Sequence, residues 1–284
     1  MRLLLTEIER ERDTVSTIVQ LSTAFEGIAS MRIAQIKDQV QLSERFFDEL
    51  WKIYNQIRVD ELFHFGRRQS VEKVVEKELL ILITSEGSLS GSIDQDLVNK
   101  ALKAYKPDKN DIIIIGHHGE TLLRQKAIPY IRSFQLPERD QNINVTPLVI
   151  EAQKYVDTTV YYQRYQSLMN QNVKTIRLAV AVAERGRAVA PGEDIISETN
   201  YIFEPSPYAV VDHLERSMMQ ITLSEVILES KLAQYASRFR AMSLAHNKAT
   251  ESFDELNLLF SRGKRRLKDE RLKEIMNATR GTQL

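Results

Sequence analysis

From Pro207 to the C-terminus the chain contains no further proline, and its apolar residues recur at alternating steps of four and three. The series runs Leu214, Met218, Ile221, Leu228, Leu232, Tyr235, Phe239, Met242, Ala249, Phe253, Leu256 and Phe260, with Glu225 and His246 filling the two skipped positions. A sustained seven-residue repeat is the seam of a left-handed coiled coil, narrower than the stripe of an ordinary surface helix. At about 1.5 Å per residue, a helix of about 70 residues extends roughly 105 Å. No compact domain covers that length. The segment therefore needs a second helix along its seam and a large external partner.

The second helix lies at the other end of the chain. Residues 4–60 contain no proline and one glycine, Gly27. Their stripe takes in Ile8, Val15, Ile18, Phe25, Ile33, Ile36, Val40, Phe47, Leu50, Trp51 and Ile57, with Ser22, Gly27, Ala29 and Ser30 as small members. Long helices draw most of their stability from packing an apolar face. The two matching stripes predict an antiparallel helical pair over about 4–58 and 208–278, in which Phe239, Met242, Phe253 and Leu256 face the first helix.

All seven prolines fall between residues 66 and 207. Glu78–Thr84 and Asp111–Gly116 are short continuous apolar runs, the pattern of buried parallel strands. Helices are expected over 93–105 and 118–127, a short strand over Tyr130–Phe134, and a helix over 147–170. Further strands are expected over Thr175–Ala183 and, weakly, Tyr201–Phe203. Strands alternating with helices predict a central Rossmann-like α/β domain with a mainly parallel sheet. The expected division is 1–62 for the N-terminal coiled-coil helix, 63–206 for the α/β domain and 207–284 for the C-terminal coiled-coil helix.

Lysine plus arginine equals aspartate plus glutamate, so no global charge points to nucleic acid or membrane. The absence of cysteine excludes disulfides, thiol catalysis and cysteine metal sites. The opening MRLLLTEIERER is too short in apolar residues for a signal peptide, and no stretch approaches the roughly 20 apolar residues of a membrane span. A cytoplasmic protein is expected.

The turn Ser85-Glu86-Gly87-Ser88-Leu89-Ser90-Gly91-Ser92 has the place and glycine content of a phosphate-cradling loop, but it is not GxGxxG and lacks the lysine of a P-loop. A tight strand-to-helix turn or a protein contact fits it better. His117 and His118 are adjacent, so on a helix they point about 100° apart and seldom share a metal. His246 reads as a polar residue that sets the register of the seam. The basic run Arg262–Lys268 reads as a solvated or protein-facing helix segment. No spacing of Ser, His and Asp specifies a hydrolase. No catalytic, cofactor-binding or metal-binding residue is assigned.

Residues 201–207, YIFEPSP, resemble the signature that opens the C-terminal helix of the γ subunit of F-type ATP synthases. Leu228-Glu229-Ser230, Ala236 through Met242, Ala249-Thr250, Asp254-Glu255-Leu256 and Glu274-Ile275 follow at matching spacing. Glu7-Ile8, Gln20-Leu21-Ser22 and Ala29 through Ile33 resemble the family's opening helix, and SEGSLSGS stands where the family has Ser-Asp-Arg-Gly-Leu-Cys-Gly-Gly. The chain departs from that pattern at Ser90, which replaces the loop cysteine, and at Glu86-Gly87-Ser88, which lacks the basic residue. Lys264-Arg265 replaces an Arg-Gln pair, Asp269-Glu270-Arg271 replaces Thr-Gln-Glu, and Thr23 replaces a lysine.

The resemblance implies a central-stalk rotor subunit, itself without catalytic residues or cofactor, that transmits torque between a membrane rotor ring and catalytic β subunits. It implies ATP synthase α and β subunits, an ε subunit and the membrane c-ring as partners, with no nucleic acid and no membrane span. It also implies a peripheral place on the cytoplasmic face of the cell membrane. The family's contact positions fall here on Glu86, Ser88, Ser90, Lys264, Arg265, Asp269 and Glu270. A coiled-coil scaffold with an α/β head, the rotor of a specialised paralogue, and a nucleotide-dependent enzyme with helical arms stand as alternatives.

Overall fold

The computed structural model describes residues 2–56, 75–87, 89–136, 143–187, 202, 204 and 206–281. Two helices dominate it, α1 (Arg2–Gln56) and α6 (Pro207–Gly281). Between them lie β1 (Val75–Ile83), α2 (Ile93–Ala104), β2 (Asn110–Ile115), α3 (His117–Gln125), β3 (Arg132–Phe134), α4 (Thr146–Ala152), β4 (Tyr155–Tyr165), β5 (Gln171–Arg177) and α5 (Leu178–Arg187). The chain forms two compact units, one of residues 29–238 and one of residues 1–28 with 239–284.

The larger unit is built on a five-stranded sheet of order β3-β2-β1-β4-β5. β1 pairs in parallel with β2 and β4, β2 in parallel with β3, and β4 antiparallel with β5. The inner strands are apolar on both faces because both are covered. Leu79, Ile81, Ile83, Ile113, Ile115, Val160 and Tyr162 meet α4 and the α6 residues Leu223, Val226 and Ile227 on one face. Leu80, Leu82, Ile112, Ile114 and Tyr161 meet Leu97, Val98, Ala101, Leu122 and Leu123 of α2 and α3 on the other. Each fully buried Leu or Ile contributes about 1.5–3 kcal/mol. Gly116, between β2 and α3, has φ +97, and a Cβ there would run into the backbone carbonyl of Thr84. Glycine is required at that turn.

Within the same unit α1 runs antiparallel to α6. Ile36 packs on Leu228 and Leu232, and Phe47 and Trp51 pack with Val182, Leu214 and Met218. In the smaller unit the direction is the same. Leu5 lies against Gly263, the Arg12 guanidinium sits 4.7 Å from the Phe260 ring centre, and Thr23 meets His246.

Three expectations from the sequence are corrected. Residues 147–170 are not one helix: α4 ends at Ala152 and β4 occupies Tyr155–Tyr165. That stretch is rich in threonine, valine and tyrosine, which favour strands, and as an inner strand it lacks a clean alternation. Thr175–Ala183 is not one strand, because β5 ends at Arg177 and α5 begins at Leu178. A continuous apolar run cannot separate the two states by periodicity. Here helix places Val182, fully buried, beside Phe47 and Trp51. On α1, Ile18 is exposed rather than on the seam, whereas Ser22 and Ala29 are buried. The Ser22 hydroxyl donates to Ile18 O at 2.7 Å, which lets a polar residue take a buried seam position. Ile57 lies outside the described residues, as do Tyr201 and Phe203 of the weak strand.

Candidate functional site

The residues singled out in the sequence gather in two places. The first is the turn between β1 and α2. Gly91 takes left-handed backbone, and so does Leu89 at φ 73, a conformation strained for leucine and one that leaves its side chain half exposed. Glu86 is exposed as a residue, yet its carboxylate accepts from the backbone N–H of His117 at 3.3 Å and from that of Leu136. It thereby satisfies a donor that the first turn of α3 leaves unpaired. Ser90 is buried, its carbonyl accepts from Ser237 Oγ at 2.7 Å, and its hydroxyl lies 3.4 Å from Arg238 Nη2. Ser88 lies outside the described residues.

Beneath this turn Asp94, fully buried at the start of α2, collects donors. The Ser85 N–H approaches it at 3.3 Å and the Ser85 hydroxyl donates to it. His118 Nδ1 donates at 2.8 Å, and Gln163 Nε2 at 2.8 Å. The hydrogen bond to Asp94 is the main cause that raises the His118 pKa, against an opposing contribution from burial. His117 instead lies exposed, 3.7 Å from Glu120, so the adjacent histidines serve different partners. Ser85, Asp94 and His118 do meet, but the carboxylate stands in the middle. A hydrolytic triad needs the imidazole between hydroxyl and carboxylate, so this arrangement is a buried anchor.

A cavity of about 240 Å³ opens at the ends of β2 and β3, lined by Ile115, Phe134, Gln135, Ile143, Asn144, Val145, Pro147, Leu148 and Ile227. Its lining carries no cation to hold a phosphate. No group of three or more histidine, aspartate or glutamate side chains among the described residues could hold a metal.

The second place is the smaller unit. A Cβ at Gly263 would run into Leu5, so glycine admits a close approach of the two helices there. Lys264, Arg265 and Asp269 are exposed, and Lys264 Nζ lies 5.8 Å from the centre of the Phe260 ring. Glu270 is half exposed and 3.7 Å from Arg266, one turn back. Thr23, a departure from the family pattern, meets His246 on the seam. The Thr23 hydroxyl donates its one proton to Val19 O at 2.9 Å, so at the 3.2 Å contact His246 Nδ1 donates to Thr23 Oγ1.

The family profile described as ATP synthase matches residues 4–280. The ATP synthase γ chain of Clostridium novyi is 23% identical over 279 residues, 95% of each chain. This chain belongs to the ATP synthase γ-chain family. The γ chain of Cytophaga hutchinsonii is 21% identical over 287 residues, 96% of each chain. A rotor chain of Euglena gracilis mitochondrial ATP synthase superposes with a TM-score of 0.64 at 14% identity, covering 94% of this chain and 99% of its own. A chain of the same enzyme in another rotational state gives 0.68 at 13% identity, covering 99% and 95%. As a member of the γ-chain family, the chain is a central-stalk subunit of an F-type ATP synthase. No helix among the described residues is long and apolar enough to cross a membrane.

The sequence reading missed Asp94, Gln163 and Gln234, which with Ser230 join the turn to α6; Ser230 was marked only as part of the Leu228-Glu229-Ser230 match. Asp94 at a helix start was a legible signal. Gln163 was hidden because its strand read as helix.

Proposed function

We propose that this chain is the non-catalytic rotor of its ATP synthase, carrying torque between a membrane rotor ring and the catalytic subunits, with nucleotide and catalytic residues supplied by α and β. The observation that carries the reading is the γ-chain family match over residues 4–280. The antiparallel pairing of α1 and α6 in both units supports it. Two helices sharing a seam resist twisting better than one, and a seamed pair with different side chains around it presents different faces to three identical β subunits. Holding those subunits in different affinities is coupling by differential contact. The chain's partners are then α, β, ε and the c-ring of a proton-transporting complex, at the cytoplasmic face of the cell membrane.

The contact positions belong to this proposal. Lys264, Arg265, Asp269 and Glu270 meet groups of opposite charge on β, since charged interface groups act through complementary partners. Glu86, Ser88 and Ser90 are the further candidates for contact with β. The test is purification from the native cell, in which α and β subunits are expected to accompany the chain; their absence rejects the rotor reading. In the assembled complex, Lys264→Glu with Arg265→Glu is expected to lower coupled ATPase activity, with partial recovery on reversing a charge on β. Unchanged activity and assembly would place these residues in solvent instead.

A further inference from the structure

Leu223, Val226 and Ile227 hold α6 on the sheet by apolar contact, which is non-directional and alone does not set a register. A buried polar chain does. Gln163, near the end of β4, is fully buried. Its Nε2 donates to Asp94 Oδ1 at 2.8 Å, while its Oε1 accepts from Ser230 Oγ and from Gln234 Nε2 at 3.2 Å. A carboxylate only accepts, so the amide has one allowed orientation, nitrogen toward α2 and oxygen toward α6. Asp94 is itself fixed by Ser85 and His118. One turn beyond Gln234, Ser237 and Arg238 grip Ser90 of the turn after β1. A one-residue slip of α6 moves it about 1.5 Å and turns it by about 100°. That slip would strand Gln163 Oε1 and the α6 donors without partners in the protein interior, where an unmade hydrogen bond costs most.

We propose that Gln163 is a positioning residue, the key that fixes the axial and rotational seating of α6 on the α/β domain, so that a turning moment passes between them without slip. The part concerning torque rests on the rotor reading; the seating does not.

The chain lacks cysteine, so spin labels on Lys103→Cys in α2 and His213→Cys in α6 report the seating in the full chain. The expected result is one narrow distance in the parent, a broadened distribution in Gln163→Leu and a milder broadening in Gln234→Leu, which serves if the first variant does not fold. The pair Asp94→Asn with Gln163→Glu reverses the hydrogen bond between the two positions and keeps an acceptor facing Ser230 and Gln234, and is expected to restore the narrow distance that Gln163→Glu alone loses. A parent-like distribution in Gln163→Leu, or no recovery in the exchanged pair, overturns the proposal. In the assembled complex, Gln163→Leu is expected to lower ions transported per ATP hydrolysed several-fold while hydrolysis persists, with recovery in the exchanged pair. An unchanged ratio alongside a broadened distance overturns the torque role. Failure of the parent chain to join a catalytic ring would instead sink the rotor reading, and the distances would still decide the seating.

Discussion

One helix leads two different lives. Between Val211 and Ser237, α6 is buried over most of its circumference, polar side chains included: Glu215, Thr222, Ser230, Lys231, Gln234 and Ser237 all lie below the surface. Beyond Met242, only Ala249 and Leu256 are buried among the described residues. The seven-residue seam is the same in both stretches. What differs is the rest of the circumference, which meets a sheet and the turn after β1 in the first stretch, while the second shares its unit with α1 alone. A heptad repeat therefore locates the helix partner and leaves open what else touches the helix.

The sharpest way to break this comparison is to place a charge off the seam in each stretch. Leu223→Asp buries an unpaired carboxylate and is expected to cost about 3–5 kcal/mol or prevent folding. Leu258→Asp, at a residue 59% exposed, should stay within about 0.5 kcal/mol of the parent. Urea unfolding monitored with site-resolved hydrogen exchange separates the two, and equal losses would refute the distinction. On the seam itself the contrast narrows. Leu228→Ala is expected to cost about 2–5 kcal/mol, the range for a core cavity. Leu256→Ala should cost about 1–2 kcal/mol, because water can enter the gap and little beyond the lost methylenes is forfeited.

The next test concerns pH. His118 has its pKa raised above the ordinary 6.5 by Asp94. Its contribution to stability is complete below that ordinary value and is lost as pH rises through the higher folded-state value. Protection of the amides in residues 220–238, taken relative to their intrinsic base-catalysed exchange rate, should fall on the alkaline side, and His118→Gln should remove that dependence. An unaltered dependence in that variant would clear His118 of the effect. A small loss is expected of Arg12→Ala, which removes the stack on Phe260 at a cost of about 0.5–1 kcal/mol and should be visible only in exchange of the smaller unit.

Most of the fold was legible because its signals are local. The seam, the strands Glu78–Thr84 and Asp111–Gly116 and the helices after them follow from periodicity and length. Where the reading failed, at 147–170 and 175–183, the deciding contacts are distant in sequence: β4 becomes an inner strand only once β1 and β5 flank it, and α5 becomes helix because Val182 fills a place beside Phe47 and Trp51. The polar chain through Gln163 was illegible for the same reason, since its members come from α2, α3, β4 and α6. Thr23 and His246 could each be noticed alone; that they bond to each other required the register of the helix pair.

The pairing of Leu5 with Gly263 has a further consequence, in the order of events during synthesis. Leu5 completes this contact only after Gly263, far along the chain, has been made. Loop closure grows slowly with length, roughly 0.6 kcal/mol for each doubling, so the folded protein loses little stability by joining segments so distant in sequence. The cost falls on time. Until α6 is made, α1 exposes an apolar seam without its partner helix, the condition in which nascent chains associate wrongly. Glu7, Glu9, Arg10, Glu11 and Asp13, which stay exposed in the folded protein, would serve then as its solvating cover.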